Sequence, residues 1–298
     1  TKSPATSIIS LFAVNSKFTA RIYMQFSPID IMILPGGLGT DFFFDVPKTV
    51  DAAISEGWSL TQRINTAPYP SLVLYCPADR DLCAYFDDLG YIAGLQIALA
   101  QDEFTDAIFD WETQGFTEWV PATPTGEIKK YWTIQQYFVS EAYLLQSAAD
   151  REAMRKEGVL LQEDAVWVTG INRAIDRIST SRTDIENSVY TRQACLPWMG
   201  RHFYYNMSAE TTCTASTMYP WFPLVHSGQL IATGFVVFGK LPIIEGQRDW
   251  FERPPRLAVQ VIVPRGPQCL YDLVDSVGLL TMHIYYVENP WTIGCLLQ

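Results

Sequence analysis

Residues 195–213, CLPWMGRHFYYNMSAETTC, open the half of the chain that reads as sheet. Within them HFYYNM (202–207) is strand-like, and QLIATGFVVFG (229–239), RLAVQVIVP (256–264) and LLTMHIYYV (279–287) follow as further strand-length runs broken by Pro and Gly. The same stretch holds a Trp, a His, a Phe and two Tyr between two cysteines. It also carries the triplet Asn206-Met207-Ser208, an acceptor for N-glycosylation only in the secretory pathway.

Working outward, FAVNSKFTARIYMQF (12–26) alternates apolar and polar residues as a strand does. IDIMILPGGLGTDFFFDVP (29–47) reads as two apolar runs around a hairpin or bulge turn; it lacks the helix that a dinucleotide-binding loop requires. SLVLYC (71–76) and YIAGLQIALA (91–100) are strands, with Gly94 marking a bulge or a close backbone approach. PADRDLCAYFDDLG (77–90) between them reads as a polar loop whose acids miss the spacing of a calcium loop. AVWVTGINRAIDRIST (165–180) reads as two strands around a Gly170-Ile171-Asn172 turn. VDAAISEGW (50–58) is a short helix ending near Gly57. SEAYLLQSAADREAMRKEG (140–158) reads as one long helix, capped by Ser140, ended by Gly158, with Leu144, Leu145, Ala148 and Ala149 facing the core. The fold class is therefore β-rich α+β: antiparallel sheets packed face to face, one or two helices, and disulfide bonds. Residues 1–298 form a single domain or two intimate lobes, with a boundary, if any, near 190–195.

Composition narrows the function classes. A chain with 48% hydrophobic and 18% charged residues buries a large core. Its net charge of −11 repels nucleic acid and anionic membrane surfaces. No apolar run reaches the length of a membrane span. No leader pattern stands at the N-terminus, so a processed chain is expected. The six cysteines Cys76, Cys83, Cys195, Cys213, Cys269 and Cys295 include no C-x-x-C pair, which leaves zinc ribbons and thioredoxin-type chemistry without support. Fifteen pairings are open. The simplest is sequential: Cys76–Cys83, Cys195–Cys213 and Cys269–Cys295.

The runs LYCPADRDLCAYFDDLGYIAGLQIAL, YWTIQQYFVSE, CLPWMGRHFYYNM, FGKLP, DWFERPPR and TMHIYYV span roughly residues 70–295. Together they resemble a group of secreted invertebrate proteins of largely unassigned function, whose most specific shared feature is the C-x-P-W-M-G-x-H module. The resemblance implies secretion and paired cysteines and carries over no catalytic residues. Luciferases of the marine-worm type, which work without a cofactor, are similar in general profile, though no motif here is theirs.

Signatures of common enzymes are missing: no G-x-S-x-G elbow and no H-E-x-x-H. His226 lies beside Ser227, but neighbours on a strand point to opposite faces. Carboxylate pairs such as Asp110/Glu112 or Asp249/Glu252 meet only the weakest requirement for glycoside hydrolysis. His202, His226 and His283 make a zinc site only if three strands converge, so no metal and no cofactor is expected.

Aromatic chemistry remains. Alternation puts His202, Tyr204 and Asn206 on one face of their strand and Thr281, His283 and Tyr285 on one face of theirs. If the two faces meet, they form an apolar pocket with a few polar groups, which a glycan on Asn206 requires to be partly open. The expectation is a secreted protein binding a small apolar or aromatic organic ligand. Tyr204, Tyr285, Trp198 and His226 are its candidate ligand-binding residues, and His202 and His283 are candidate general bases. Two alternatives stand beside it: a cofactor-independent, luciferase-type oxidoreductase using dioxygen, and an extracellular structural or matrix protein. The sequence leaves the oligomeric state open.

Overall fold

The computed structural model describes residues 21–23, 43–122, 126 and 128–295. The GGLG turn at 36–39, and the 12–26 strand apart from residues 21–23, lie outside them. Strands β1 (Arg21–Tyr23) and β2 (Phe43–Asp45) precede helix α1 (Val50–Ser55). Then come β3 (Ser59–Thr61), β4 (Val73–Cys76), β5 (Leu82–Phe86), β6 (Ile92–Ala100), β7 (Thr117–Trp119) and β8 (Tyr131–Tyr137). Helices α2 (Glu141–Leu144) and α3 (Ala148–Met154) lead to β9 (Ala165–Thr169), β10 (Ile175–Ser179) and α4 (Arg182–Glu186). The rest is β11 (Tyr190–Leu196), β12 (Gly200–Tyr205), β13 (Trp221–His226), β14 (Gln229–Phe238), α5 (Arg256–Ile262), α6 (Gln268–Ser276) and β15 (Leu279–Tyr285).

These strands make two antiparallel sheets. The first has the order β10-β9-β8-β6-β5-β4-β3, with β7 also on β8; the second has the order β11-β12-β13-β14-β15-β1-β2. The first sheet ends at Ser179 and the second resumes at Tyr190, while β1 and β2 return the N-terminal part of the chain to the far edge of the second.

Period-two alternation makes the sandwich. On β15, Leu280, Met282 and Ile284 point toward the first sheet, joined by Phe203, Trp221 and Phe235 from neighbouring strands. They meet Leu82, Phe86, Leu95, Ile97, Ile134, Phe138 and Val166 of the first sheet in one continuous core. Polar contacts also cross this core. The Trp221 indole N–H donates to the Thr169 carbonyl at 2.9 Å. The Tyr286 hydroxyl lies 2.6 Å from the Thr233 hydroxyl and also meets the Gln136 amide.

Gly94 sits where expected at a register shift: a Cβ there meets the Gln136 carbonyl oxygen at 2.4 Å. The outer face of the first sheet is covered by the 63–72 loop, organised by Arg63, whose guanidinium donates to the carbonyls of Ala67, Pro68, Tyr69 and Leu72. The outer face of the second sheet is covered by α5 and α6.

Several local readings need correction. The 140–158 helix is two helices, because Ser147 forms a second N-cap, its hydroxyl accepting from the Asp150 N–H at 3.1 Å. Leu145, Ala148 and Ala149 are exposed; Tyr143 and Arg151 are the buried residues instead. Arg151 pairs with Asp87 and Asp88, which gives those two acids a structural task. LCAYF within the supposed polar loop is the fully buried strand β5.

RLAVQVIVP is α5, not a strand. Its β-branched residues suit a sheet, but Ala258, Val259 and Ile262 repeat at helical spacing just after Pro254-Pro255. The bonds Cys195–Cys295 and Cys213–Cys269 replace two of the sequential pairings, and Cys76–Cys83 stands. The reason is α6, which lays Cys269 over the loop after β12 and leaves Cys195 to the C-terminal segment. By chain entropy, loops spanning 100 and 56 residues stabilise by roughly 4–5 kcal/mol each.

Phe235 is fully buried at the meeting of the sheets, against Trp221, Phe116 and Phe251. Phe235→Ala is expected to lower unfolding stability by about 3–5 kcal/mol, read by denaturant titration.

Candidate functional site

The two histidine faces meet. His202 on β12 and His283 on β15 lie on the outer face of the second sheet with two strands between them, yet their ring centroids are 5.9 Å from each other. Gly234 on β14 makes this approach possible. A Cβ there falls 1.8 Å from Phe222 Cζ, so only glycine lets the Phe222 ring lie over β14 beside both imidazoles. Phe222 then stacks on Tyr204 at 4.7 Å and sits 5.9 Å from His202 and 5.5 Å from His283.

Glu252 completes the cluster. Its backbone pairs with Thr281 in an antiparallel bridge, which carries its side chain to the histidine face. One carboxylate oxygen lies 2.6 Å from His283 Nδ1, and the other accepts the Thr281 hydroxyl at 3.1 Å. Both residues of the His283–Glu252 pair are buried. The sequence alone offers Glu252 beside Asp249 as a carboxylate pair; in the fold Asp249 binds Arg253 at 2.5 Å. The bridge to Thr281 is a long-range contact with no local signal, and it is why Glu252 was missed.

His202 differs from His283. It is fully buried, and neither ring nitrogen makes a hydrogen bond of ordinary geometry, although the carbonyls of Ala194 and Gly200 face the ring. Burial pushes its pKa down to about 3, and the neighbouring His283 adds to the effect. The imidazole is therefore neutral at physiological pH. Burial also raises the Tyr204 hydroxyl, with the Glu252 charge acting in the same direction.

These groups wall one side of a cavity of about 30 Å³, and Val259, Ile262, Val263 and Leu270 of the α5–α6 segment wall the other. Such a volume holds about one water. The partly open pocket expected from Asn206 is a closed one: Asn206 is exposed at the end of β12, and the helical cover seals the histidines from that surface.

Of the other candidates, Tyr285 shares the face but is fully buried, and its hydroxyl donates to the Trp198 carbonyl at 3.2 Å. Trp198 occupies the β11–β12 turn at φ 66°, with its N–H on the Ile293 carbonyl, and does not line the cavity. His226 ends β13 at the turn into β14, away from the cavity. The three-histidine arrangement is thus not assembled. Among the described residues no group of three or more His, Cys, Asp or Glu side chains can hold a metal ion, and no helix is long and apolar enough to cross a membrane. Compared with protein-family models, with curated proteins and with solved structures, the chain matches none.

The pH dependence follows from His202. Its folded pKa lies below the ordinary value of 6.5, so the unfolded chain takes up the proton first as pH falls. The contribution of His202 to stability is full above about pH 6.5 and is lost toward about pH 3, by about 1.4 kcal/mol per pH unit inside that window. His202→Phe is expected to flatten this part of the curve relative to wild type, as measured by urea unfolding at neutral and at mildly acidic pH.

Proposed function

We propose that this is an extracellular, disulfide-bonded protein that binds a small, weakly polar organic molecule at the His202–Tyr204–His283–Glu252 face. The observation that carries this reading is the fully buried His202, whose ring nitrogens make no hydrogen bond of ordinary geometry, beside a cavity walled by aliphatic side chains. Leaving a buried polar group unsatisfied costs about 1–3 kcal/mol, a cost that a ligand hydroxyl or carbonyl removes. Sites for organic ligands combine an apolar wall with a few fixed polar groups in this way. A molecule larger than a water enters by outward movement of α5 and α6, which Cys213–Cys269 holds to the loop after β12. The exposed Asn206, in its acceptor triplet, and the three disulfides support an extracellular setting.

A thermal-shift screen of indoles, sterols, carotenoids and other apolar compounds tests the reading. A true ligand at about 100 times its Kd adds about 2.7 kcal/mol of stability. The same ligand is expected to give a markedly smaller shift with His202→Phe, which keeps the ring volume and removes the nitrogens. No stabilisation by any compound, or equal stabilisation of the variant, sinks it.

A second reading is favoured by the 2.6 Å His283–Glu252 contact. Glu252 fixes the orientation of the imidazole ring through Nδ1, an arrangement suited to a general base. On this reading the imidazole takes an acidic C–H proton from the substrate, and the carbanion gives its electrons to dioxygen as the C–O bond forms, as in luciferase-type oxidation. Turnover then persists with a chelator present and falls about 10²–10⁴-fold in His283→Gln. Undiminished turnover in that variant excludes the mechanism.

A further inference from the structure

A second cavity, of about 430 Å³, opens where the β9–β10 hairpin and α4 meet strands β11 and β12. Nothing in the reading above uses it. Its aromatic part is a cluster of three tyrosines. Tyr205 and Tyr219 stack nearly parallel, centroids 4.8 Å apart and planes at 20°. Tyr190 sets its ring edge-on to both at 6.4 Å. Tyr190 and Tyr219 are buried, while Tyr205 is half-buried and presents ring surface to the cavity.

Carboxylates stand at the same opening. Asp176 accepts the Tyr219 hydroxyl at 2.7 Å through one oxygen, and Asp184, exposed on α4, accepts the Ser179 hydroxyl at 2.7 Å. Gly170 makes the arrangement possible: a Cβ there falls 2.1 Å from Asp176 Oδ2 and 2.6 Å from the Tyr219 hydroxyl oxygen. The one cation on the lining, Arg177, is already engaged with Asp164 at 2.8 Å. Burial and the Asp176 charge raise the pKa of the Tyr190 and Tyr219 hydroxyls, so both rings stay neutral.

We infer that this tyrosine-lined cleft binds a small organic cation, a primary or quaternary ammonium compound. A ring face attracts a cation through its quadrupole, worth about 0.5–2 kcal/mol depending on desolvation. Asp176 and Asp184 supply the opposite charge, and the net charge of −11 favours the approach of cations. A volume of about 430 Å³ lies in the range of small-ligand sites. Binding here is independent of the histidine cavity, which lies on the other face of the same sheet.

Isothermal titration of the full chain with choline, and with its uncharged carbon isostere in which C replaces the ammonium N, tests the inference. Choline is expected to bind, and the isostere to bind at least about tenfold more weakly, since charge carries the attraction. Asp176→Asn keeps an acceptor for Tyr219 while removing the charge, and Tyr205→Leu removes the exposed ring. Each is expected to weaken choline by about tenfold, with unfolding midpoints near wild type showing that the fold is kept. Should either variant lose its fold, perturbation of the Tyr205 ring signals by choline in the wild-type NMR spectrum replaces it. Absence of choline binding, equal binding of the isostere, binding untouched by both variants, or preference for a neutral monosaccharide overturns the inference.

Discussion

In β15, and in β14 apart from the exposed Gln229 and the half-buried Val236, the side chains on both faces are out of water. Leu280, Met282 and Ile284 point toward the first sheet, and Leu279, Thr281, His283 and Tyr285 point away from it, all buried. An antiparallel sheet ordinarily wets one of its faces. Here the second face demands a cover, and α5 and α6 supply it by setting Val259, Ile262, Val263, Leu270, Tyr271 and Val274 against Val236, Phe238 and Leu279. The Cys213–Cys269 bond, from the loop after β12 to α6, keeps that cover in place. The buried histidines are a consequence of it: without the helices, His202 and His283 face solvent and have no unusual chemistry.

The parts legible in the sequence were those governed by alternation. Strands β4, β6, β9, β10, β12, β14 and β15 follow from period two and its Gly and Pro breaks, and so does the sharing of a face by His202 and Tyr204, and by Thr281, His283 and Tyr285. What alternation cannot supply is which strands lie side by side. The meeting of the two faces depends on Gly234 and the Phe222 ring lying over β14, a tertiary fact that appears in the sequence only as a glycine in mid-strand. The misreadings share a cause. RLAVQVIVP satisfies both strand and helix patterns, and contact with the sheet decides for helix. The sequential cysteine pairing assumed local loops, whereas α6 brings distant cysteines together. Ser147 has a plain capping chemistry, but it lies inside a run whose composition favours helix throughout.

The burial of both faces also explains why polar groups occur in the core in linked sets. Glu252 serves Thr281 and His283 together, and Tyr286 joins Thr233 to Gln136 across the sheets. A buried carboxylate or phenol with one partner is costly, and a second contact offsets much of that cost. His202 differs on the same face, stacked against Phe222 and Tyr204 with no hydrogen bond of ordinary geometry. Single atoms of Gln193 and Arg201 in this sheet also lack a partner, but His202 leaves both ring nitrogens without one of ordinary geometry.

Strand β12 ties the two candidate sites together. His202 and Tyr204 point outward into the sealed cavity, while Phe203 and Tyr205 point inward, and Tyr205 reaches the tyrosine cleft at the sheet's edge. Adjacent residues of one short strand therefore contribute to two pockets of different character, one closed and walled by imidazole and aliphatic groups, the other open, aromatic and lined by carboxylates. A shift of β12 by one residue exchanges the faces of every side chain on it and dismantles both at once. The β11–β12 register, which is broken by a bulge between Arg192 and Cys195, is held near that irregularity by the Cys195–Cys295 bond. That disulfide thus bears on both pockets while touching neither.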